Sequence, residues 1–488
     1  MKAVILTFDF LPISFLGCYG HSLVKTPHFD QLASRSIVYD QHFAENIDPA
    51  APAHAWTTGC YHFPRSAEIQ QAMPDVGDVL NRAGIETTLI SENDSHTPAA
   101  NCRTAVRVEG EGGLAVSPEA TPFAQLVSQA ELAIDDEWCN DSSSQLLWLH
   151  STGVSSEWLP PRAFARAAMS RSFAAGTDAE DEQSLPDIPA ESSNEQSNDS
   201  ESLDSTTDSE ADATEVVIED LPDESFDDFV EALVGAALDE SGAANLSVEE
   251  WQVARAVLAG YVEMLDRSLG RLLAAINERA GRDPILFIVT AAEGIPAGER
   301  SMMSLPAVSL PEEIIHTPLF VQHPGAEPGT RRQQLVQTVD LVPTLLDWFQ
   351  ADASKLPCEG QSLLPSTTLT ENREREYICL GDGTSNCAIR TRERYLILDP
   401  ASDKRHSITP QLFVKPDDIW EANEVSAQSP AEVETLATTL EHCIEQAQNH
   451  VPAEFPKLTT PQLRSNTRPA SPVMMNRLAH RNRRSFQS

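Results

Sequence analysis

The stretch that decides the fold class is Ala3-Val4-Ile5-Leu6-Thr7-Phe8-Asp9, an apolar run that ends in a carboxylate. A run this short and this apolar predicts a buried β-strand. Two further stretches, Pro284–Thr290 and Gln145–His150, have the same character. Segments with helical spacing separate the runs, at His28–Ser36, Pro122–Trp138 and Val248–Ile276. Because apolar strands that alternate with helices form mostly parallel sheets covered on both faces, the sequence predicts an α/β fold with a mostly parallel sheet flanked by helices.

The carboxyl ends of these strands hold the first candidate site. In open parallel sheets, ligands bind beyond the carboxyl ends of the strands. Asp9, His150 and the segment Ala291–Gly294 each end or follow one of the three runs. If the three strands are neighbours, the sequence predicts that these residues lie close together.

A smaller α+β subdomain is predicted for residues 367–450. Its strands are expected at Tyr377–Leu380, Cys387–Arg390 and Tyr395–Leu398, and its helix at Pro430–Gln446. The α/β domain then consists of residues 1–171 and 246–366.

The formal net charge of −40 is concentrated in one segment. Ser172–Ala254 contains 25 Asp and Glu and no Lys or Arg, so removing it would change the charge from −40 to −15. Its middle is rich in Ser, Asp, Glu, Pro and Asn, a composition that does not bury enough apolar surface to offset the entropy of ordering. We therefore expect residues 172–245 to be an acidic, largely disordered insertion. Residues 451–488 are expected to be a basic disordered tail, with seven Lys and Arg and no acid between Lys457 and Ser488.

Composition also limits the partners and the compartment. A chain this acidic is repelled by phosphate backbones, which argues against nucleic acid, whereas the acidic insertion suits a basic protein partner. No stretch reaches the roughly 18 apolar residues that span a bilayer, so no membrane partner is expected. The eight cysteines are irregularly spaced without a CxxC pair, and the N-terminus has no recognisable export signal. Reduced thiols in a cytoplasmic location are therefore expected.

A series of short motifs follows the first strand in a fixed order. They are Leu16–Gly20 (LGCYG), Thr26–Ala33 (TPHFDQLA), Thr58–Tyr61 (TGCY), Ala83–Thr87 (AGIET), Leu147–His150 (LWLH), His316–Phe320 (HTPLF) and Thr338–Asp347 (TVDLVPTLLD). In number, order and spacing they resemble the sulfatase family, a branch of the alkaline phosphatase superfamily, over about residues 1–445 apart from the acidic insertion. The resemblance implies an alkaline-phosphatase-like α/β fold with a small C-terminal subdomain.

The resemblance also implies a chemistry and a cofactor. Members of the family hold one divalent cation, usually calcium, and attack sulfur with a formylglycine hydrate made from a Cys or Ser in the motif C/S-x-P-x-R. A sulfate ester is negatively charged, so its site needs a hard cation with oxygen ligands and cationic side chains around it. The expected partner of an active member is a small-molecule sulfate or phosphate ester.

The chain departs from the family pattern at the residues on which this chemistry depends. Asp9 matches the first metal carboxylate, but Phe10 stands where the family usually has a second Asp. Between Asn46 and His54, where the nucleophile motif is expected, there is no Cys, Ser or Thr, so formylglycine cannot form there. The late metal motif and the motif with the family's Lys and His are replaced by Ala291-Ala292-Glu293-Gly294 and Ser91-Glu92-Asn93-Asp94. The resemblance therefore predicts a divergent member with a degraded active site.

Four residues remain as candidates for the site. Asp9 and Glu293 are the candidate metal ligands, and they suit calcium because its ligand geometry is permissive. His54, near the lost motif, and His150, at a strand end, are the candidate catalytic acid/base groups. Each also has a structural interpretation: Asp9 as a helix cap, His54 as a hydrogen-bonded core residue and His150 as a residue that orients a loop.

Three functions stay open on the sequence alone. In the first, the chain keeps the scaffold of a sulfuric-ester hydrolase without its catalysis, and serves in binding, regulation or assembly. In the second, it hydrolyses sulfate or phosphate esters with a rewired metal site built on Asp9 and Glu293. In the third, it is an interaction protein that acts through the acidic insertion.

Overall fold

A computed structural model gives the fold of the chain. It describes residues 1–47, 50–92, 101–137, 143–154, 158–181, 221–239, 243, 245–280, 284–297, 310–365, 374–382, 386–399 and 409–458. Within these residues the chain forms an eight-stranded sheet with helices on both faces, and a four-stranded sheet in its C-terminal part. The α/β fold with a smaller C-terminal α+β subdomain, predicted from the sequence, is confirmed.

The large sheet is built around the first strand of the chain. Its described strands are β1 (Lys2–Phe10), β2 (Ile37–Phe43), β3 (Glu86–Glu92), β4 (Thr104–Val108), β5 (Gln145–Gly153), β6 (Ile285–Glu293), β7 (Leu319–Gln322) and β8 (Thr330–Gln337). They lie in the order β4-β3-β5-β1-β6-β7-β2-β8, so β5 and β6 flank β1. β7 is antiparallel to both neighbours, and the other described pairs are parallel. The carboxyl ends of β1, β3, β5 and β6 therefore meet at one edge.

Helices cover both faces of this sheet. The described α-helices are α1 (Pro27–Arg35), α2 (Ala50–Thr58), α3 (Ala67–Gln71), α4 (Val76–Arg82), α5 (Pro122–Leu132), α6 (Arg162–Asp181), α7 (Asp223–Leu238), α8 (Val248–Ala280), α9 (Glu312–Ile315), α10 (Leu341–Phe349) and α11 (Pro430–Asn449). One core, under α5, α7 and α8, contains Phe8 and Val289, and the other, under α4 and α10, contains Ile5 and Trp148. Alternate residues of β1 thus enter opposite cores, which explains its continuous apolar run.

The predicted acidic insertion, residues 172–245, is described at both of its ends. α6 continues to Asp181, and α7 packs against α8 through Phe226, Val230 and Leu233, which are at most 5% exposed. These apolar residues recur at helical spacing, so α7 buries a stripe although its composition is acidic. The expectation of disorder is therefore wrong for residues 223–238. Residues 182–220 lie outside the described residues, and the expectation stays a prediction there.

The C-terminal subdomain is an antiparallel sheet with a helix against it. Its described strands are β9 (Tyr377–Gly381), β10 (Cys387–Thr391), β11 (Arg394–Asp399) and β12 (Thr409–Val414), in the order β12-β11-β10-β9. Leu436 and Leu440 of α11 enter the core beneath this sheet. Three strands and α11 coincide with the predicted segments. β12 was not predicted, because its sequence TPQLFV mixes a proline and polar residues with a short apolar end.

A buried arginine attaches this subdomain to the α/β domain. Arg65 donates to both carboxylate oxygens of Glu359, at 2.7 and 2.6 Å, and the two side chains are 0% and 1% exposed. Its remaining N–H groups donate to the carbonyls of Tyr61 (2.8 Å), Ala447 (3.0 Å) and His450 (3.0 Å). An arginine has five N–H donors, and here each has an acceptor. The guanidinium therefore joins the segment after α2 to the end of α11.

The predicted basic tail, residues 451–488, is described as far as residue 458. In that part Phe455 packs on Tyr61, with ring centres 5.3 Å apart, so this portion is attached to the rest of the chain and the expectation of disorder is wrong for it. Residues 459–488 lie outside the described residues. The seven cysteines in the described part of the chain are free thiols. No helix among the described residues is both long and apolar enough to cross a membrane.

Candidate functional site

The carboxyl ends of β1 and β5 bring Asp9 and His150 together. His150 Nε2 lies 3.2 Å from Asp9 Oδ1, and the two side chains are 0% and 5% exposed. The imidazole Nδ1 lies 2.8 Å from the hydroxyl of Thr7, which also accepts a hydrogen bond from the Trp148 indole at 3.0 Å. The Trp56 indole packs edge-on against the imidazole, with ring centres 6.1 Å apart. Other side chains therefore enclose the pair.

The Thr7 hydroxyl contacts the other imidazole nitrogen of His150, Nδ1. The Thr7 hydroxyl has one hydrogen, and its contact with Nδ1 (2.8 Å) is shorter than its contact with the Leu149 carbonyl (3.3 Å). A hydroxyl that donates to Nδ1 leaves the proton of a neutral imidazole on Nε2. Nε2 lies 3.2 Å from Asp9, the residue expected to be the first metal carboxylate, without the alignment of a hydrogen bond.

The other candidate metal ligand, Glu293, leaves the sheet on the opposite face. Phe8 pairs with Ala291 and Phe10 with Glu293, so Asp9 lies beside Ala292. Because successive side chains of a strand point to opposite faces, Asp9 and Glu293 start on opposite sides of the sheet. Within the described residues, no group of three or more His, Cys, Asp or Glu side chains is placed to hold a metal ion.

Glu92, at the end of β3, makes hydrogen bonds to β5. Its carboxyl oxygens accept from the Ser151 hydroxyl at 2.5 Å and from the Thr152 N–H at 3.0 Å. Burial raises the pKa of Glu92, and these hydrogen bonds oppose the rise. An acid thus stands where the family motif has a cation. The neighbouring motif residue Asp94 lies outside the described residues, as does Asp48 of the lost nucleophile motif.

His54 belongs to a different group of side chains. It lies on α2, where its ring packs against His62 at 5.6 Å between centres and its Nδ1 lies 3.5 Å from the Thr58 hydroxyl. Burial lowers the pKa of His54 to about 4, with further lowering by His62 and Arg65. His54 is therefore a neutral imidazole near pH 7. Its described contacts are with α2 and the turn after it, and not with the Asp9–His150 pair.

Comparison with known proteins assigns the family. The family model described as Sulfatase matches residues 3–351. The chain belongs to the sulfatase family. Among curated proteins, it is 27% identical over 128 residues to the multifunctional alkaline phosphatase superfamily protein PehA of Trinickia caryophylli, a match that spans 26% of this chain and 24% of that protein. The match therefore covers only about a quarter of that relative's length.

Solved structures share the sulfatase-family fold over nearly the whole chain. BT4656, described in complex with its substrate D-glucosamine-2-N,6-O-disulfate, has a TM-score of 0.64 at 16% identity, with 91% of this chain and 97% of that chain covered. Phosphonate monoester hydrolase of Agrobacterium radiobacter has a TM-score of 0.62 at 14% identity, covering 91% and 96%. A putative sulfatase from Bacteroides thetaiotaomicron has a TM-score of 0.59 at 15% identity, covering 91% and 92%. At such identities the likeness establishes the fold alone.

The cation implied by membership of the sulfatase family does not fit the described residues around Asp9. Calcium takes about six to eight oxygen ligands. The Asp9 carboxylate faces an imidazole nitrogen, Ala292 beside it offers no ligand, and Glu293 starts on the other face of the sheet. No catalytic step through a cation follows from this arrangement.

A second site lies between the α/β domain and the C-terminal subdomain. This interdomain cavity has a volume of about 1110 Å³ and is lined by the loop after β1, by α6 and α8, and by the segment after β12. Arg171 of α6, Trp251 and Arg255 of α8, and Trp420 of the subdomain are among the lining residues. None of the four candidate residues predicted from the sequence is among those that the structure describes around it. The motif comparison did not single out this cavity, although Tyr19 and Gly20 of LGCYG and His316 of HTPLF line it, because the rest of its lining comes from α6, α8 and the segment after β12.

A buried cluster of ion pairs forms the subdomain wall of the interdomain cavity. Glu312 lies 3.3 Å from Arg390 and 2.5 Å from Lys415, and Lys415 lies 2.9 Å from Glu421. Burial by itself raises the pKa of Glu312, but Arg390 and Lys415 lower it below its usual value. Glu312 and Glu421 thus neutralise Arg390 and Lys415, and Glu313 adds a further acid to the lining of the cavity on this side.

Proposed function

We propose that this member of the sulfatase family keeps the scaffold of a sulfuric-ester hydrolase without its catalysis, and serves as a binding protein. The observation that supports this most directly is the buried contact between Asp9 and His150, at 3.2 Å between Oδ1 and Nε2. Among the described residues, no group of three or more His, Cys, Asp or Glu side chains is placed to hold the cation that the family chemistry needs. The sequence adds a second reason, because no Cys, Ser or Thr lies between Asn46 and His54.

The chemical argument concerns the charge of the reaction. Cleavage of a sulfate ester develops negative charge on the departing oxygen, which enzymes stabilise with fixed cations or hydrogen-bond donors. Glu92, at the end of β3, is an acid that accepts hydrogen bonds from β5 and starts on the face of the sheet opposite to Asp9, so it supplies no such cation. The reaction also needs an activated nucleophile, and the lost motif leaves no residue from which the family's nucleophile is made.

The competing function is hydrolysis of sulfate or phosphate esters by a rewired site. A carboxylate that orients an imidazole is an arrangement that activates nucleophiles in many hydrolases, so the Asp9–His150 pair gives this alternative its support. Against it, a general base must come within about 3 Å of the proton that it abstracts, directly or through one water. The side chain of His150 is 0% exposed, so a substrate does not reach it without rearrangement.

The test is ester turnover combined with metal content. The purified chain would be assayed with 4-nitrophenyl sulfate, 4-nitrophenyl phosphate and 4-nitrophenyl phenylphosphonate, in the presence of Ca²⁺, Mg²⁺, Mn²⁺ or Zn²⁺. We expect the wild type, Asp9→Asn and His150→Gln to release 4-nitrophenol at the same background rate. Elemental mass spectrometry is expected to find the same content of divalent ions in the wild type and in Asp9→Asn. Asp352→Asn, at an exposed turn, is the matched control.

Either of two results would refute the proposal. One is turnover above background that Asp9→Asn abolishes and Asp352→Asn retains. The other is about one bound cation per chain that depends on Asp9. Both would favour the rewired hydrolase.

Two further parts of the proposal concern location and partners. Seven free thiols in the described chain support a reducing compartment, and we include a cytoplasmic location. The acidic composition of residues 182–220 supports a basic protein partner for the insertion. Deletion of residues 182–220 is expected to abolish capture of such a partner while the far-UV circular dichroism of the rest of the chain is retained; unchanged capture would contradict this part.

A further inference from the structure

We propose that the interdomain cavity binds an amphiphilic anion, a carboxylate head group on an apolar body. This goes beyond the loss of catalysis at the strand ends, because the cavity and the Asp9–His150 pair share no described residue. A cavity of about 1110 Å³ is slightly larger than the usual range for small-molecule sites, roughly 300–1,000 Å³. The apolar rim of the cavity suits the apolar body of such a ligand, and its cationic wall suits the anionic head group.

The rim of the cavity is apolar and exposed to solvent. Leu23 is 46% exposed, Val248 79%, Ile419 59% and Trp420 48%. Seven large apolar side chains are exposed in the described part of the chain, and these four of them line this one cavity. Exposed apolar residues that are scattered singly need no explanation, whereas a contiguous group of them marks a binding surface. The rim therefore suits the apolar body of a ligand.

Arg255, on the wall formed by α8, is the place for the anionic head. Its Nε donates to the carbonyl of Ala297 at 2.6 Å. Among the described residues no carboxylate lies within ion-pair distance of it, in contrast to Arg390 and Lys415 on the opposite wall, which Glu312 and Glu421 neutralise. A guanidinium with one neutral acceptor has donors left for a bidentate carboxylate.

One neighbour of Arg255, Arg171, adds a hydrogen-bond donor on the same side of the cavity. Arg171 pairs with Glu263 through one terminal nitrogen, and its buried Nε has no hydrogen-bond partner among the described residues. Gln252 lies one turn before Arg255 and donates to the Ser172 carbonyl at 3.2 Å. These groups lie on α6 and α8, whose packing fixes their backbones. A cationic wall in a chain of net charge −40 favours an anion at this place over a cation.

The class of ligand follows from the combination of a basic wall and an apolar rim in one cavity. Trp251 lines the cavity from α8, the helix that holds Arg255, and Trp420 lines it from the subdomain as part of the apolar rim. A small inorganic anion would use the wall and leave the rim in water. A neutral lipid would use the rim and leave Arg255 without a counter-charge. An amphiphilic carboxylate uses both, which is why we infer this class.

Calorimetric titration of the full chain tests the proposal with three probes. Decanoate has the head and the body, acetate has the head alone, and decyltrimethylammonium has the body with the opposite charge. We expect saturable one-to-one binding of decanoate, and binding at least tenfold weaker for the other two probes. Quenching or enhancement of tryptophan fluorescence should follow the same isotherm, because Trp251 and Trp420 line the cavity.

Variants locate the binding within the cavity. Arg255→Gln is expected to weaken decanoate binding at least tenfold, because a charge-assisted hydrogen bond is lost, and Trp420→Ala to weaken it severalfold. Arg267→Gln is the matched control, since Arg267 lies on the same helix, is 60% exposed and pairs with Glu119. Asp9→Asn is expected to leave decanoate binding unchanged, which separates this proposal from the one on catalysis. Circular dichroism and thermal unfolding would verify that each variant is folded.

Three outcomes would overturn the inference. The first is an absence of saturable decanoate binding. The second is equal affinity for decanoate and decyltrimethylammonium, which would make the site a non-specific apolar surface. The third is an unchanged affinity of folded Arg255→Gln, which would place the anion elsewhere.

Discussion

Replacement of Arg65 by methionine is predicted to destabilise the chain more than any single loss of a surface charge. Arg65 is 0% exposed on its side chain and makes five hydrogen bonds, two to Glu359 and three to backbone carbonyls. Removal of one partner of a buried ion pair costs about 3–5 kcal/mol, because the other charge stays buried without compensation. The two hydrogen bonds that Glu359 keeps, from the N–H groups of Tyr61 (2.8 Å) and Ala453 (2.5 Å), limit the loss to this range.

Urea unfolding at pH 7, followed by circular dichroism, measures the effect. Arg65→Met should lower the free energy of unfolding by about 3–5 kcal/mol, and Arg267→Met, which removes an exposed pair with Glu119, by less than about 1 kcal/mol. In the Glu359→Gln background, the same Arg65→Met change should be less costly, because the carboxylate that pairs with Arg65 has already been removed. A loss below about 1 kcal/mol for Arg65→Met, or strict additivity of the two changes, would refute the reasoning.

Three further predictions concern the cores and the histidines. Phe226→Ala on α7, at a site that is 1% exposed, should destabilise the chain by about 3–5 kcal/mol in the same unfolding assay; a change near zero would mean that α7 is not docked. Gly153→Ala should lower the thermal midpoint, because Gly153 has φ of 69° and an added Cβ would lie 2.2 Å from the Phe10 carbonyl oxygen; an unchanged midpoint would contradict that geometry. Burial lowers the pKa of His42 and of His54 to about 4 from a usual value of 6.5. Their contribution to stability is therefore complete above about pH 6.5 and is lost as the pH falls towards 4, and the double variant with glutamine should show a weaker loss; NMR titration of either imidazole near pH 6.5 would contradict the assignment.

The central strands could be predicted from the sequence because each is buried on both faces. β1 and β6 are apolar at nearly every position, and their segments were identified from that property alone. β8 was not predicted, because it is an edge strand in which Thr330–Gln334 are half-buried or exposed and polar. The orientation of β7 was not predicted either, since a four-residue apolar run has the same pattern in parallel and antiparallel pairs. Periodicity thus finds buried strands, and the edges depend on tertiary pairing.

The proximity of Asp9 and His150 was expected from the rule for strand ends, and the structure places them 3.2 Å apart. Their roles in catalysis or metal binding stay predictions. The same rule predicted that Glu293 lies close to Asp9, but strand alternation directs its side chain to the opposite face of the sheet from Asp9. The role of Arg65 could not be predicted from the sequence, because its five acceptors come from segments nearly 390 residues apart along the chain. The apolar spacing of Phe226, Val230 and Leu233 was a signal for α7 that the acidic composition around it obscured.

The position of β1 in the middle of the sheet has a consequence for synthesis of the chain. β1 is synthesised before its two neighbours in the sheet, β5 and β6, which begin at Gln145 and Ile285. In the same way, β2 is synthesised before its neighbours β7 and β8, which begin at Leu319 and Thr330. The ribosome adds about 275 residues between Phe10 and Ile285, which takes about 15–60 s at roughly 5–20 residues per second. During that interval the nascent chain presents apolar strands with unpaired edges. Chaperones that hold extended apolar segments are therefore expected to bind the nascent chain, and fragments that end before β6 are expected to aggregate.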